Sequence, residues 1–305
     1  MNKFLSANII TSTISIATPL FIAALGGLFN ERVGIVNVGL EGIMLSGAFT
    51  SAVVSYYTGS AWMGVVGAIL IGILLGILHS FICIKLQAEH VVSGVAINIL
   101  AESTTIFLLQ LFFGNKGQTP TVTTIGNLGS KLDSIPILGV LFHNMSYITL
   151  IGIVLIIISH VFLYYTKAGL RYRSIGENPY AAQSLGIDVK SYMYIGVIIG
   201  CAMAGLAGSY LSIGMLNVFT KNMTAGRGYI ALAAVIFGRW TPLGSLLASL
   251  FFGYVMALQI STQSLAIPAQ VVEMFPYIAT LVVLTFAYKN AKGPAHTGRP
   301  FINEK

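Results

Sequence analysis

The sequence predicts an all-α, polytopic membrane protein: a transmembrane helical bundle of about nine spans, in one domain that covers residues 1–305. Three observations lead to this fold class. Of the 305 residues, 56% are apolar and only 8% carry a charge, whereas soluble domains have about 25% charged residues. Apolar runs long enough to cross a bilayer, about twenty residues each, recur between residues 9 and 288. The 33 glycines suit the close helix packing found in lipid.

The candidate spans follow one another with mostly short connections. A long apolar stretch, residues 229–260, is interrupted by the polar sequence Gly-Arg-Trp-Thr-Pro at 238–242. We therefore divide it into a short span and a full one. The predicted spans are Ile9–Leu28, Ile35–Tyr56, Trp62–Ile84, Val91–Phe113, Met145–Tyr165, Tyr192–Ile213, Tyr229–Phe237, Leu243–Ile260 and Val271–Tyr288.

Positive charge predicts the orientation, because cytoplasmic loops are enriched in Lys and Arg. The loop 166–191 and the tail 289–305 each carry four cations. Four predicted spans separate them, so both can face the cytoplasm, and counting backwards places the N-terminus outside the cell. Residues 114–144 then form the longest external segment. The net charge of +7 is assigned to these loops, and no aromatic-basic stripe indicates a nucleic-acid partner.

The loop 166–191 contains a helix signal of its own. Asn178 and Pro179 predict a helix start, because Asn is a good cap and Pro fits the first helical turn. Gly186 predicts a left-handed stop, so a short helix should run from about Pro179 to Leu185. A connection between two neighbouring helices needs only about two to eight residues. Two interpretations are open: a docking element for a cytoplasmic partner, and an amphipathic helix that rests on lipid headgroups.

Polar residues inside the spans give the second functional signal, because an unpaired polar or charged group is costly in the bilayer. Asn98 and Glu102 are four positions apart and share a helix face. Asn37 and Glu41 lie in a polar, glycine-containing break, Asn30–Gly42. Such groups could line a path for a ligand with hydroxyls and ring nitrogens, or they could bond neighbouring helices. Both interpretations stay open from the sequence.

Three motifs, in order along the chain, resemble those of ABC importer permeases. Residues 177–187 read Glu-Asn-Pro-x-Ala-Ala-x-x-x-Gly-Ile and resemble the loop by which such permeases contact their ATPase. Residues 226–238 resemble the Gly-x-Gly-Tyr motif and short apolar helix of the sugar and nucleoside branch, which is related to branched-chain amino acid permeases. Residues 31–42 read Glu-Arg-x-Gly-x-x-Asn-x-Gly-x-Glu-Gly and look like the start of the nucleoside subgroup. The resemblance covers roughly residues 29–288.

The resemblance implies the membrane-spanning subunit of an ATP-driven importer for nucleosides, in particular purine nucleosides, in a bacterial cytoplasmic membrane. It also implies three partners: a cytoplasmic ABC ATPase, a second homologous permease chain and an extracellular substrate-binding lipoprotein. The residues that it assigns to ATPase coupling are Arg173, Gly176, Glu177, Asn178, Pro179, Ala181, Ala182 and Gly186.

We predict no catalytic residues, bound metal or bound cofactor on this chain. It has no Gly-x-x-x-x-Gly-Lys-Ser/Thr phosphate loop, so ATP and Mg²⁺ are expected on the partner ATPase. Cys83 and Cys201 lie in apolar runs and are interpreted as packing residues. No spacing suited to one metal site is found among His79, His90, His143 and His160.

Two alternatives to nucleoside import stay open. A permease of the same family could carry simple sugars. A proton-coupled secondary transporter could use Glu102 as its proton carrier. The long helix-bearing loop 166–191 discriminates against the second alternative, because a secondary transporter needs no dock for an ATPase.

Overall fold

The structure is a computed structural model that describes residues 7–127, 145–262 and 292–302, and the isolated positions 274, 278, 281 and 285. Helices fill most of the first two ranges, and the predicted all-α fold class is confirmed. Their bounds are α1 Ala7–Arg32, α2 Leu40–Thr58, α3 Ala61–Ser80, α4 His90–Phe113, α5 Tyr147–Tyr165, α6 Lys167–Glu177, α7 Pro179–Ser184, α8 Val189–Ser209, α9 Arg227–Phe237 and α10 Pro242–Thr262. Helices α3 and α8 continue as π-helical turns over Phe81–Lys85 and Tyr210–Leu216.

Six helices, α1, α3, α4, α5, α8 and α10, are long and apolar enough to cross a bilayer. They confirm the predicted transmembrane bundle. The predicted number of about nine spans is not confirmed. Helix α2 has 19 residues, as many as α5, but is not among the six. The predicted span Val271–Tyr288 lies outside the described residues, apart from isolated positions.

The connections between helices lie at two ends of the bundle. At the tail end, the segment 292–302 packs against the α1–α2 connection and against α6 and α7. At the far end, the chain after α4 pairs with the chain after α8, as in the hydrogen bond from the Thr119 N–H to the Phe219 carbonyl at 2.9 Å. The loop 166–191 and the tail therefore lie at the same end, which agrees with the charge count.

The predicted start of the second span, Ile35, is wrong, because α2 begins only at Leu40. The chain before it is non-helical, and its backbone groups find partners on other helices. The Val36 N–H donates to His90 Nδ1 at 3.4 Å, and the Val36 carbonyl lies 3.3 Å from His79 Nε2. Irregular backbone is tolerated at membrane depth where protein groups satisfy it, so an apolar composition did not make these residues helical.

The helix at the predicted short span Tyr229–Phe237 is too short to cross the bilayer alone. Helix α9 has 11 residues and is about 16 Å long at about 1.5 Å per residue, against about 30 Å of hydrocarbon. The non-helical residues 217–226 cover the remaining distance. They begin at the far end, where the Asn217 carbonyl accepts a hydrogen bond from the Val122 N–H at 2.9 Å, and end at the first turn of α2. Loop and half-helix together form one broken segment, a feature of transporters.

Helix α8 lies at the centre and packs against α1, α2 and α3. Glycines permit this close approach. A Cβ on Gly200 would overlap the Gly26 carbonyl of α1, and a Cβ on Gly205 would overlap the Ala68 carbonyl of α3. Gly208 makes the same kind of contact with α2. Small residues hold helices together in lipid, where apolar surface alone does not drive association. Helix α4, by contrast, packs mainly on α2 and leaves one side exposed.

Candidate substrate path and docking surface

Glu41 lies in the first turn of α2 and caps the N-terminus of α9. Its Oε1 accepts a hydrogen bond from the Gly226 N–H at 2.8 Å, and its Oε2 accepts one from the Gly228 N–H at 2.6 Å. The first N–H groups of a helix lack partners within it, and the helix dipole favours a negative charge there. The side chain is buried. Glu41 therefore holds the broken segment against α2.

Asn98 joins three elements around the start of α2. Its Oδ1 accepts a hydrogen bond from the Gly42 N–H at 2.7 Å. Its Nδ2 donates to the Val38 carbonyl at 3.1 Å and to the Tyr229 hydroxyl at 3.0 Å. A Cβ on Gly42 would overlap the backbone of Asn98, so α2 and α4 touch at this point. The side chain fixes α4 to α2 and to the first turn of α9.

Glu102 lies one turn beyond Asn98, and its side chain is exposed. Gln110 lies eight residues further along the same side of α4 and is also exposed, and we call these two residues the α4 outer face. A carboxylate within a membrane-crossing helix needs water or another protein chain in front of it rather than lipid. The α4 outer face is thus a surface that a wet path or a second chain would have to cover.

Asn37 is fully buried in the connection before α2. Its Oδ1 accepts a hydrogen bond from the Gly39 N–H at 3.0 Å, and its Nδ2 donates to Cys201 Sγ at 3.2 Å. Cys201 lies on α8 and, like Cys83, is a buried free thiol. Asn37 therefore ties the α1–α2 corner to the central helix.

The structure separates the four predicted path residues into two kinds. Glu41 and Asn98 lie close together, because Asn98 bonds the residue that follows Glu41. They and Asn37 bond backbone groups of neighbouring elements, as interhelical contacts do. Glu102 lies one turn along α4 from Asn98, and its side chain is exposed. Of the four, it is the one with an exposed side chain.

The predicted short helix of the loop 166–191 is present as α7. Asn178 Oδ1 accepts a hydrogen bond from the Ala181 N–H at 3.0 Å, Pro179 is the first helical residue, and Gly186 has a φ of 76°. The helix before it, α6, was not predicted from the sequence. Its one signal was Thr166, whose Oγ1 accepts a hydrogen bond from the backbone N–H three residues later at 2.9 Å.

Several of the predicted coupling residues face the body of the bundle. The guanidinium of Arg173 stacks over the Tyr164 ring, 4.7 Å from its centroid. Gly176 lies against the end of α1. Glu177 Oε2 accepts a hydrogen bond from the Ala295 N–H in the tail at 3.3 Å. These side chains and the close approach at Gly176 fix α6 in place.

Three large apolar side chains are exposed among polar and charged residues of α6 and α7. Leu170, Tyr180 and Leu185 are exposed by 62%, 45% and 82%, and we call them the docking surface. A cleft of about 560 Å³ lies beside them, lined by Leu170, Arg171, Ser174, Leu185, Gly186 and Tyr192. Exposed apolar side chains with a polar rim mark a site for another protein.

Comparison with known proteins decides the family. The family described as branched-chain amino acid transport system, permease component, matches residues 9–284. The chain belongs to this permease family. The guanosine ABC transporter permease protein NupQ of Bacillus subtilis is 40% identical to it, over 97% of both chains. The nucleoside ABC transporter permease protein NupC of Lactococcus lactis is 37% identical, again over 97% of both chains.

A solved structure shares the fold of this permease. It is described as a metal-chelate type ABC transporter in an inward-facing conformation, and it superposes with a TM-score of 0.54 at 14% identity. The superposition covers 91% of this permease and 85% of that chain. The family match and the two relatives show that the permease is a multi-pass membrane subunit of an ABC transporter. It is a transport subunit rather than an enzyme, and it works with a separate ATPase and a substrate-binding protein.

The permease also has a polar cluster at the tail end that the motifs only partly revealed. The Trp240 indole N–H donates to the Glu31 carboxylate, and the Trp240 carbonyl accepts a hydrogen bond from Arg32 Nε at 2.9 Å. The resemblance marked Glu31 and Arg32, and the break at 238–242 contained Trp240. Nothing in the sequence connected them, because they are about 208 positions apart.

Proposed function

We propose that this permease moves nucleosides, in particular purine nucleosides, into a bacterial cell with energy from a partner ATPase. The observation that carries the proposal is the similarity, over nearly the whole chain, to two permeases named for guanosine and for nucleosides. The exposed carboxylate of Glu102, one turn along α4 from Asn98, and the Asn98 amide, which bonds the Tyr229 hydroxyl, offer hydrogen-bonding groups of the kind that a nucleoside requires.

The proposed orientation places the tail end in the cytoplasm. Cations at that end include Lys167, Arg171, Lys190, Lys292 and Arg299, and cytoplasmic loops are enriched in such residues. The N-terminus is then extracellular, because α1 begins at the far end beside the end of α10. The substrate-binding lipoprotein meets the far end in this arrangement.

The cytoplasmic ATPase, which binds ATP and Mg²⁺, docks on the surface formed by Leu170, Tyr180 and Leu185. The short helix α7 is capped at Asn178 and stopped at Gly186, so it can move as a small rigid unit. The large exposed fraction of Leu185 and the cleft beside it support this assignment. The remaining residues assigned to coupling hold α6 and α7 in shape.

The substrate path runs along the α4 outer face, where a second homologous permease chain covers Glu102 from the other side. Asn98 borders the path through its contact with the Tyr229 hydroxyl, and Glu41 and Asn37 shape its wall from behind. ATP-driven displacement of α7 opens this path alternately to each side of the membrane, as in alternating access. No covalent chemistry is involved.

Uptake of labelled solutes tests the substrate class. A strain that lacks this chain is supplied with guanosine, adenosine, uridine or glucose, and the same strain with the chain restored serves as the control. Loss of guanosine and adenosine uptake that the restored chain reverses supports purine nucleosides. Equal loss of uridine uptake would widen the class to all nucleosides. Loss of glucose uptake alone would favour the sugar alternative.

Energy coupling separates this proposal from a proton-coupled transporter. The complete transporter is reconstituted in vesicles that contain ATP or carry a pH gradient. Nucleoside movement with ATP alone supports the ATPase-driven assignment. Movement driven by the pH gradient without ATP would instead assign Glu102 as a proton carrier.

A further inference from the structure

We propose that the tail segment 292–302 is a strap that positions the docking helix α7 and makes it move together with α1 and the α9–α10 turn. Contacts within this chain support the attachment of this segment to α7. Its role in coupling rests on the proposed function. We call residues 292–302 the strap.

The strap is hydrogen-bonded to the end of α6. The His296 N–H donates to the Gly176 carbonyl at 2.9 Å, and the Ala295 N–H donates to the Glu177 carboxylate at 3.3 Å. Gly176 is shaped for this contact, because a Cβ there would lie close to Pro294 as well as to the end of α1. Backbone bonds of this kind fix the position of the strap directly before α7 begins.

The strap is also bonded to the α1–α2 connection. The Gly298 N–H donates to the Gly34 carbonyl at 3.0 Å, and the Thr297 hydroxyl donates to the Glu31 carbonyl at 3.4 Å. Gly34 and Gly298 both have positive φ, at 89° and 81°, a conformation that glycine adopts without strain. One segment of the tail thus joins two parts of the chain that are far apart in sequence.

Aromatic contacts reach α7 itself. The Tyr180 ring packs edge-on against His296, with centroids 5.8 Å apart, and lies tilted by 49° against Phe301, with centroids 5.2 Å apart. Phe301 is buried although it lies close to the end of the chain. Tyr180 is 45% exposed, so the strap holds one part of the ring and leaves the rest for a partner.

At its start, the strap lies against the α9–α10 turn. Gly293 sits so close to the Trp240 indole that a Cβ would come within 2.8 Å of the ring. Trp240 is in turn bonded to Glu31 and Arg32 of α1. The strap, α1, α6, α7 and this turn therefore form one connected set of contacts.

The size of α7 gives the strap its mechanical importance. A helix of six residues is too short to be stable without packing. A displacement of α7 therefore moves other parts of the chain only through the residues that α7 contacts. Through the strap those contacts extend to α1 and, by way of Trp240, to the half-helix α9. Displacement of α7 by an ATPase then moves the broken segment that Glu41 holds at the substrate path.

Spin-label distances test the fastening without an ATPase or a nucleoside. Labels are placed on Leu185→Cys and Leu243→Cys in the permease reconstituted in nanodiscs. Both positions are exposed; Leu185 directly follows α7 and Leu243 lies on α10. The test chain ends after Lys292, and the matched control ends after Phe301 and keeps the described strap contacts. A chain without introduced cysteines checks that the buried native thiols stay unlabelled.

If the strap positions α7, the chain ending after Phe301 should give the same narrow distribution of label distances as the full chain. The chain ending after Lys292 should give a broad or shifted distribution. Equal narrow distributions would overturn the fastening. If the shorter chain does not insert, Gly298→Val replaces it. The positive φ of Gly298 disfavours a β-branched side chain there, and Gly298→Val must then broaden the distribution for the proposal to stand.

Transport in the complete complex tests the coupling role. The chain ending after Lys292 should still bind the ATPase and hydrolyse ATP, but lose most of the nucleoside moved per ATP hydrolysed. Unchanged transport per ATP together with a broadened distance distribution would overturn the coupling role. The proposal that the strap positions α7 would still stand. A full-length complex that moves no nucleoside at all would contradict the proposed function, and the spin-label result would be unaffected.

Discussion

Glu41 Oε2 on α2 accepts a hydrogen bond from the Gly228 N–H at 2.6 Å, across 187 positions of sequence. A carboxylate from one helix thereby caps the start of another, where unpaired N–H groups and the helix dipole favour a negative charge. The half-helix α9 lies where this carboxylate holds it. The position of the broken segment is thus decided by a contact between two distant motifs.

We expect Glu41→Gln to lower the melting temperature of the purified permease. An amide offers one acceptor oxygen and no charge, so one of the two N–H groups loses its partner, at a cost of about 1–3 kcal/mol. Glu89→Gln is the matched control, because Glu89 is exposed and its side chain makes no capping bond at the start of α4. Equal melting temperatures for the two variants would contradict the capping role.

The local features of this fold were predictable from sequence, and the long-range ones were not. Asn178, Pro179 and Gly186 follow rules that act within one helical turn, and α7 lies where they predict. The start of α2 at Leu40 depends on His79 and His90 from other helices, which an apolar pattern does not reveal. The cap supplied by Glu41 likewise depends on tertiary contact. The sequence therefore marked Glu41 as a polar residue within the bundle, but it did not identify the N–H groups that Glu41 bonds.

Gly186→Val should uncouple ATP hydrolysis from transport while leaving the bundle folded. A Cβ at Gly186 meets no atom within 4 Å, so the cost is the left-handed backbone alone, about 1–2 kcal/mol. That strain loosens the end of α7, where the ATPase is proposed to push. The readout is nucleoside-stimulated ATP hydrolysis by the assembled complex.

Two controls accompany this measurement. Gly186→Asn should behave like the wild type, because Asn tolerates the left-handed region. Gly59→Val places the same strain at the far end, where φ is 66° and no atom lies within 4 Å, and it should leave stimulation intact. Normal stimulation in Gly186→Val would remove the argument for α7 as the coupling helix.

Cysteine labelling in intact cells should show an external N-terminus and a cytoplasmic C-terminus. An impermeant reagent is expected to label Asn2→Cys and not Asn303→Cys, and both positions should react after the cells are opened. The reason is the concentration of Lys and Arg at the tail end. Labelling of position 303 alone in intact cells would reverse the orientation.

Trp240→Phe should destabilise the permease, because the buried Glu31 carboxylate loses the indole donor. A buried acceptor left without its partner costs about 1–3 kcal/mol. Trp62→Phe is the control, since Trp62 is 51% exposed at the far end. The melting temperature should fall in Trp240→Phe and stay nearly constant in Trp62→Phe, and similar values for the two would show that the indole bond contributes little.

Asn98→Ala should mainly lower stability, whereas Glu102→Gln should mainly change transport. Asn98 supplies the acceptor for the Gly42 N–H and a donor for the Tyr229 hydroxyl, so its truncation should lower the melting temperature. Glu102 is exposed on α4, and its amide variant keeps the shape and loses only the charge. We therefore expect Glu102→Gln to melt like the wild type and to show slower transport, or altered preference among nucleosides, per folded complex. Both quantities are measured on the same reconstituted complex. Unchanged transport with a clear fall in melting temperature for Glu102→Gln would show that Glu102 bonds a neighbouring chain, and the substrate path would have to be sought away from the α4 outer face.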